Sequence, residues 1–201
     1  MQKKILYFDM DTMKKAFIIF SLLFCCLVFA QNKILIHKTK EEILQEVLQK
    51  PTVRQERKKI WDLEEEYGKD SALLIIRQTL LAMHNEVRAA NGAEPLTLNE
   101  QLNTAAQRHA EYLCKNNLPS THTGAGGSQC THRIRAAGYK NWTWCGENCA
   151  HGQDRIERVI SAWKYSPPHF RTMISKNYKE VGFGYCGSRW VAVFGAQKAG
   201  K

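Results

Sequence analysis

"EVGFGYCGSRWVAVFGA", residues 180–196, is the stretch of sequence that decides the fold. Val181, Phe183 and Tyr185 recur at every second position, a short turn sequence follows at 186–189, and an apolar run then resumes. Alternation with a period of two, a turn that contains glycine and a second strand-like run are typical of a β-hairpin. We therefore predict a pair of antiparallel strands over this stretch.

The residues before the hairpin carry apolar side chains at helical spacing instead. One helix is predicted from Asp70 or Ser71 to the Asn-Gly pair at 91–92, and a second follows a capping box that joins Thr97 to Glu100. Further helices are predicted at 131–138, 154–165 and 166–174. Helices first, followed by strands mixed with helices, predict an α+β sandwich with a small antiparallel sheet.

The beginning of the chain has the composition of a secretory signal peptide. Two lysines after Met13 precede an apolar run that ends at Ala30, and residues 28–30 fit a small-residue cleavage site. We expect an exported protein, extracellular or periplasmic, with no transmembrane segment in its mature chain. The predicted organisation is a signal peptide at 1–30 with Met13 as an alternative start, a charged helical N-terminal extension at 31–69, and a compact domain at 70–201.

Charge and composition narrow the classes of partner. The 201-residue chain has a formal net charge of +10, and 44% of its residues are hydrophobic. Removing residues 1–30 takes away four Lys and two Asp, which leaves 25 basic and 17 acidic residues, a net charge of +8. The basic residues are scattered rather than clustered, so we expect no nucleic-acid partner. The pattern is typical of a basic exported protein.

Five cysteines remain after the predicted cleavage, and in an exported protein each is a candidate for a disulfide bond. Because five is an odd number, at least one must stay unpaired or bond to another molecule. The candidates are Cys114, Cys130, Cys145, Cys149 and Cys186.

Three segments carry side chains that could do chemistry together. They are "STHTG" with His122, "GENCAHG" with Glu147 and "SPPHFRTMI" with His169. Two imidazoles and a carboxylate can hold a divalent metal ion such as zinc and leave one position open. The simpler interpretation is a polar network that orders the floor of a cleft. His109 lies on an apolar helix face and is interpreted as a core histidine with satisfied hydrogen bonds.

Seven motifs occur in an order that resembles the CAP superfamily, also called the SCP domain, which includes cysteine-rich secretory proteins, antigen 5 and pathogenesis-related proteins. The similarity covers residues 74–197 and is greatest to the bacterial-type branch. The motifs are "LLAMHNEVRAANGAEPLTLNEQLNTAAQRHAEYL", "THTG", "RIRAAGY", "GEN", "AW…SPPHFRTMI", "EVGFGY" and "WVAVFGA".

The resemblance implies a three-layer α-β-α sandwich, secretion, and a cleft lined by two histidines and two acids. Carried over to this sequence, the histidines are His122 and His169, and the first acid is Glu147. Ser166 stands where the eukaryotic members have their second acid, which removes an oxygen donor from the implied metal site. A serine at this position also suits the N-cap of the helix that carries His169. No cofactor is required by this set, and zinc or another divalent metal is the candidate.

The resemblance also implies a strand at 145–151. Alternate residues would then share a face, with Cys145, Glu147, Cys149 and His151 on one side and the smaller residues between them on the other. Cys145 and Cys149 would lie about 13 Å apart along the strand. They could not bond to each other, because a disulfide needs Cα atoms within about 7 Å.

The leading hypothesis is a secreted, non-enzymatic protein that binds a ligand in its cleft. The ligand would be lipid-like, another small molecule, or a component of the cell envelope or of a host. Two alternatives from other classes stay open. One is a metal-dependent hydrolase centred on His122, Glu147 and His169, and the other is an interaction module that docks through residues 31–69.

Overall fold

A computed structural model describes residues 60–198, which form helices on both faces of one sheet. The strands are β1 (Thr97–Leu98), β2 (Trp142–His151), β3 (Glu180–Cys186) and β4 (Arg189–Gln197). The helices are α1 (Ile60–Tyr67), α2 (Lys69–Ala89), α3 (Glu100–Lys115), α4 (Cys130–Ala136), α5 (Ile156–Lys164) and α6 (Pro167–Ile174).

The hairpin forms as predicted, and it is the centre of the sheet. The strand order is β1-β3-β4-β2, with β4 antiparallel to both of its neighbours and the two-residue β1 parallel to β3. Gly187 and Ser188 turn the hairpin with φ of 46° and 68°. Two consecutive positive φ values match a tight hairpin turn whose twist suits the flanking strands. The sheet is therefore antiparallel except at its short edge strand.

Helix α3 lies directly along β3, because β3 has glycines where the helix approaches. A Cβ at Gly182 would overlap the backbone at Leu102, and one at Gly184 would overlap the backbone at Ala106. Helical positions four apart rise about 6 Å, close to the roughly 6.6 Å between alternate strand residues. Helix α3 and strand β3 thus stay in register.

That register lets two side chains of α3 complete the hydrogen bonds of β3. Asn103 Oδ1 accepts from the Phe183 N–H at 2.9 Å, and Gln107 Oε1 accepts from the Tyr185 N–H at 3.1 Å. Gln107 Nε2 also donates to the Tyr185 carbonyl. The free edge of β3 beyond the short β1 is therefore paired by a helix instead of another strand.

Helices α2, α5 and α6 form the third layer on the opposite face of the sheet. His84 of α2 is fully buried there among the rings of Trp163, Phe183 and Phe194, with centroid distances of 5.6, 5.0 and 5.8 Å. Near the end of α2, the buried Arg88 donates to the carbonyls of Glu94, Met173, Ser175 and Tyr178. The three-layer α-β-α sandwich expected from the sequence is confirmed.

The predicted helix starts were less accurate than the helices themselves. Thr97 does not cap α3; Asn99 does, with Oδ1 accepting from the N–H groups of Gln101 and Leu102. The reason is that Thr97 and Leu98 are extended in β1, paired with Glu180 and Val181. Asp70 and Ser71 likewise lie inside α2, which starts at Lys69 after Gly68.

The predicted signal peptide at 1–30, and residues 31–59 of the predicted extension, lie outside the described residues. The rest of that extension includes α1, whose Ile60 and Leu63 are buried. The Ile60 N–H donates to the Asp154 carbonyl just before α5. Between residues 60 and 198 there is no helix with the length and hydropathy that a membrane span requires.

We predict that His84 makes the stability of the domain depend on pH. Burial lowers the pKa of His84 from 6.5 to about 4, despite the hydrogen bond from its Nδ1 to the Leu80 carbonyl. Below pH 6.5 the imidazole of His84 becomes protonated in the unfolded chain but stays neutral in the folded chain. The free energy of unfolding therefore falls as the pH drops towards 4. The decrease in the free energy of unfolding that is attributable to His84 is at most about 3 kcal/mol.

The measurement is urea denaturation between pH 4 and 7.5 for the wild type, His84→Phe and the exposed-histidine control His132→Gln. His84→Phe should flatten the acid side of the stability curve, and the control should retain the wild-type slope. Equal slopes in all three proteins would contradict the assignment.

Candidate functional site: the edge strand and its histidines

Strand β2 presents different chemistry on its two faces, as the alternation predicted. Glu147 pairs with Val193 and Cys149 with Val191, both of which belong to the core under α3. On the opposite face, a Cβ at Gly146 would meet Tyr178 and the methyl group of Thr172, a residue of α6. Glu147 and Cys149 therefore point towards the α3 layer, and the glycine gives α6 a close approach on the other side.

Both carboxylate oxygens of Glu147 are engaged. Oε1 lies 2.9 Å from His122 Nδ1, and Oε2 accepts from Arg133 Nη2 at 2.7 Å. The Glu147 side chain is 3% exposed and that of Arg133 10%, whereas the His122 side chain is 57% exposed. The acid is buried, and its imidazole partner lies at the surface.

The contacts of this cluster set its protonation. Burial opposes ionisation of Glu147, but the hydrogen bond with His122 and the charge of Arg133 outweigh burial and hold the pKa of Glu147 below its usual value. The same hydrogen bond raises the pKa of His122 against the effect of its own partial burial. The arrangement is thus a carboxylate held between a guanidinium and an imidazole that gains a proton more readily than usual.

Arg133 also secures the loop that carries His122. Its Nη1 donates to the Ser128 carbonyl at 2.6 Å, and its Nη2 donates to the His122 carbonyl at 3.1 Å. The sequence analysis did not identify Arg133 as a site residue, since the helix that carries it showed only a short amphipathic pattern. Its partner Glu147 is fourteen positions away and belongs to a different element, so no local spacing indicated the pair.

His109 is the second site residue that the sequence analysis did not identify as part of the site. It is 1% exposed, and its Nε2 lies 2.8 Å from the Thr121 carbonyl. Because a carbonyl only accepts, Nε2 must carry the proton and Nδ1 must carry a lone pair. Nδ1 is buried without a hydrogen-bond partner. The interpretation of His109 as a core histidine is confirmed by its burial, but its hydrogen bonds are not all satisfied, and one of its nitrogens lies within 4.8 Å of ligand atoms of Glu147 and Cys149.

His169 and Ser166 reach the site from the other layer, on α6. The His169 carbonyl accepts from Asn148 Nδ2 at 3.0 Å, which ties the start of α6 to β2. The His169 ring makes no hydrogen bond within residues 60–198. Partial burial and then the neighbouring His122 lower its pKa. Ser166 occupies the N-cap position of α6 as predicted, but its side chain accepts no capping hydrogen bond.

The metal site implied by the resemblance can be compared with this geometry. His122 and Glu147 meet, but Arg133 occupies the second oxygen of Glu147. Within residues 60–198, the potential ligand atoms that lie within 4.8 Å of one another belong to His109, Glu147 and Cys149, and His169 is not in this group. The His122, Glu147 and His169 set is thus only partly assembled, and we assign no chemistry to a metal held there.

The five described cysteines fall into two groups. Cys114, near the end of α3, and Cys186, beside the hairpin turn, are close enough for their thiols to hydrogen bond, which together with burial raises the pKa of Cys186 to about 12. Cys130 Sγ lies 3.9 Å from the Gly146 carbonyl. Burial first, then Glu147 and Cys145, raise the pKa of Cys130. Cys149 is buried and points at the Glu147 cluster.

An α-β-α sandwich with Glu147 on its edge strand and His122 on the loop before α4 fits the SCP-type domain that the resemblance implies. The chain belongs to the CAP family, the cysteine-rich secretory protein family, whose sequence model matches residues 81–194, more than half of the chain. The resemblance inferred from the motifs is thereby confirmed.

Similar proteins come from several bacteria. The Bacillus subtilis (strain 168) protein YkwD is 27% identical over 126 residues, which are 62% of this chain and 48% of YkwD. The fold resembles that of an extracellular protein containing a SCP domain from Bacillus anthracis (TM-score 0.60, 17% identity, 64% of this chain and 42% of that one). It also resembles an outer surface protein of Borrelia burgdorferi (TM-score 0.54, 25% identity, 60% and 92%). The match thus spans about half the length of YkwD.

The buried ion pair predicts a large effect of removing Arg133. In Arg133→Met the Glu147 carboxylate would keep its burial and lose its guanidinium, and breaking such a pair by deleting one partner costs about 3 kcal/mol. Arg158→Met is the matched control. It breaks the Arg158–Asp154 pair, whose side chains are 57% and 28% exposed, and should cost at most about 0.5 kcal/mol. Urea denaturation at pH 7 measures both, and equal losses would refute the buried-pair assignment.

The cysteine geometry predicts the disulfide pattern of the oxidised protein. We expect Cys114–Cys186 and Cys130–Cys145, with Cys149 left as the odd thiol. The first bond closes a loop of about 70 residues and should contribute roughly 4 kcal/mol in the chain-entropy model. Non-reducing peptide mapping tests the pattern, and thermal melting of Cys114→Ser/Cys186→Ser beside the wild type tests the contribution. A mapped bond to Cys149 would contradict the assignment.

Proposed function

We propose that this protein is exported and uses the surface around His122, beside β2, to bind a small amphipathic ligand, without catalysing a reaction on it. The observation that carries the proposal is the exposed His122 imidazole held by the buried Glu147. A polar group that is oriented by a buried partner and presented at the surface is pre-organised to hydrogen bond a ligand, since little freedom is lost on binding.

The two hydrogen bonds of the Glu147 carboxylate argue against hydrolysis by that group. A general base needs a free carboxylate oxygen or imidazole nitrogen within reach of the proton it takes. Both oxygens of Glu147 already have partners, and His122 Nδ1 is one of them. Ser166 has no side-chain hydrogen bond that would activate it as a nucleophile. Glu147 is therefore not available as a general base, whereas the His169 ring, which makes no hydrogen bond within residues 60–198, keeps the metal-dependent hydrolase as the alternative.

The charge of the site favours a ligand with an anionic or hydrogen-bond-accepting head group. Arg133 neutralises Glu147, so His122 adds positive charge whenever it is protonated. Exposed aromatic residues lie on the elements that carry the site: Trp144 on β2 is 52% exposed, and Tyr165, just before α6, is 82% exposed. An apolar body beside a polar head group suits this combination, and a fatty acid is the simplest probe.

The export part of the proposal rests on the signal-peptide pattern at 13–30 and on the extracellular and outer-surface proteins that share the fold. The third hypothesis, docking through residues 31–69, stays a prediction because most of that segment lies outside the described residues. Partner capture by the chain with and without residues 31–59 would decide it.

The test measures ligand binding directly. Protein spanning 31–201 is titrated with a fatty acid, a sterol and soluble cell-wall fragments, and amide shifts are followed by NMR. We expect saturable shifts at His122 and at the start of α6, and at least tenfold weaker binding by His122→Ala. His151→Ala, which removes another exposed imidazole from the same face of β2, should bind as the wild type does. The proposal fails if no member of the panel binds saturably or if both variants lose binding equally.

A further inference from the structure

Two residues that the proposed function does not use, His109 and Cys149, lie beside Glu147 on the buried side of β2. His109 from α3 and Glu147 and Cys149 from β2 place one nitrogen, one oxygen and one sulfur atom within 4.8 Å of one another. His122 Nδ1 lies 2.9 Å from Glu147 Oε1 and 3.9 Å from Cys149 Sγ. We propose that this protein has a structural zinc site formed by His109, Glu147, Cys149 and His122.

The distances suit one tetrahedral ion. With zinc bonds of about 2.0–2.1 Å to nitrogen or oxygen and 2.3 Å to sulfur, neighbouring ligand atoms lie roughly 3.3–3.6 Å apart. The two separations to His122 Nδ1 bracket this range within a few tenths of an ångström. The ligand atoms of His109, Glu147 and Cys149 lie within 4.8 Å of one another. His122 is outside that group, and its exposed side chain would have to turn towards the ion to become the fourth ligand.

His109 provides the independent sign that something binds. Its Nε2 donates to the Thr121 carbonyl, which fixes the tautomer and leaves Nδ1 as a lone pair. That nitrogen is buried, and it has no partner among residues 60–198. His84 has the same pattern, with Nδ1 at the Leu80 carbonyl and a buried Nε2 that has no partner. His109 differs because Glu147 and Cys149 offer ligand atoms within 4.8 Å, and a histidine whose other nitrogen donates to a carbonyl is the usual form of a zinc ligand.

The donor set selects the kind of metal. Imidazole and thiolate favour zinc over magnesium or calcium, which prefer oxygen ligands. Binding would displace the Cys149 proton to solvent, because the thiolate is the form that binds metal. Arg133 stays on Glu147 Oε2, so Oε1 is the oxygen available for coordination. Four protein ligands leave no open position, which makes the site structural rather than catalytic.

This site would add a link between three elements that are already joined by the His109–Thr121 and His122–Glu147 hydrogen bonds and by Arg133. His109 lies on α3, His122 on the loop before α4, and the other two ligands on β2. It differs from the set implied by the family resemblance, because it uses His109 and Cys149 and excludes His169. It shares His122 and Glu147 with the proposed ligand site, so the tests separate the two proposals: metal content and the cobalt spectrum report zinc, whereas amide shifts on titration report the ligand.

The test begins with the wild-type protein spanning 31–201, purified without chelator and with its disulfides intact. Elemental analysis should find close to one zinc per chain. Replacement of zinc by cobalt should produce the visible absorption of a tetrahedral site with a thiolate-to-metal charge-transfer band. A wild-type protein that retains no zinc after loading, or whose cobalt form lacks the thiolate band, overturns the proposal without the need for any variant.

Variants then identify the ligands. Cys149→Ser should remove the thiolate band, and His109→Gln should weaken zinc binding at least about tenfold. His151→Gln and His169→Gln are control variants on the same strand and on α6, and both should bind zinc as the wild type does. A loss confined to His169→Gln would assign the metal to the cleft instead. Far-ultraviolet circular dichroism checks the fold of each variant, and mapping of Cys149 into a disulfide in the zinc-loaded protein would also overturn the proposal.

Discussion

The close, in-register packing of α3 along β3 is the constraint on which the rest of the structure depends. Gly182 and Gly184 allow the two backbones to touch, and Asn103 and Gln107 then complete the hydrogen bonds of the strand. Once α3 is held in this position, His109 follows two residues after Gln107 and lies beneath the edge strand. The distance between the helix and the sheet thus sets which chemical groups can meet at β2.

Glu147 is the second organising element, because one buried carboxylate joins two otherwise separate segments. Arg133 binds one of its oxygens and also two carbonyls of the preceding loop, so the charge of the acid and the shape of the loop are coupled. His122 binds the other oxygen at the surface. The same residue therefore contacts both the exposed His122 and the buried residues of the cluster.

The accuracy of sequence-based inference varied with the range of the interaction. The hairpin and the amphipathic helices were predictable because period and turn chemistry are local properties, whereas the strand that is β2 was predicted from the family resemblance. The start of α3 was not, since Thr97 was drawn into a strand pair with a segment more than eighty residues away. His109 was assigned to the core correctly by its spacing, but the state of its Nδ1 depends on Thr121 and on β2, which no helical pattern reports.

The sequence by itself determined the class of fold, the family and the three segments that carry His122, Glu147 and His169, because these features rest on order, period and short motifs. Only the tertiary structure decided that Glu147 turns towards α3 while α6 lies against the opposite face of its strand. It also showed that Arg133 and His109 belong to the same cluster. The physical reason is that an edge strand has two faces and one free edge. Packing across the whole chain decides which residues lie against each face and along that edge.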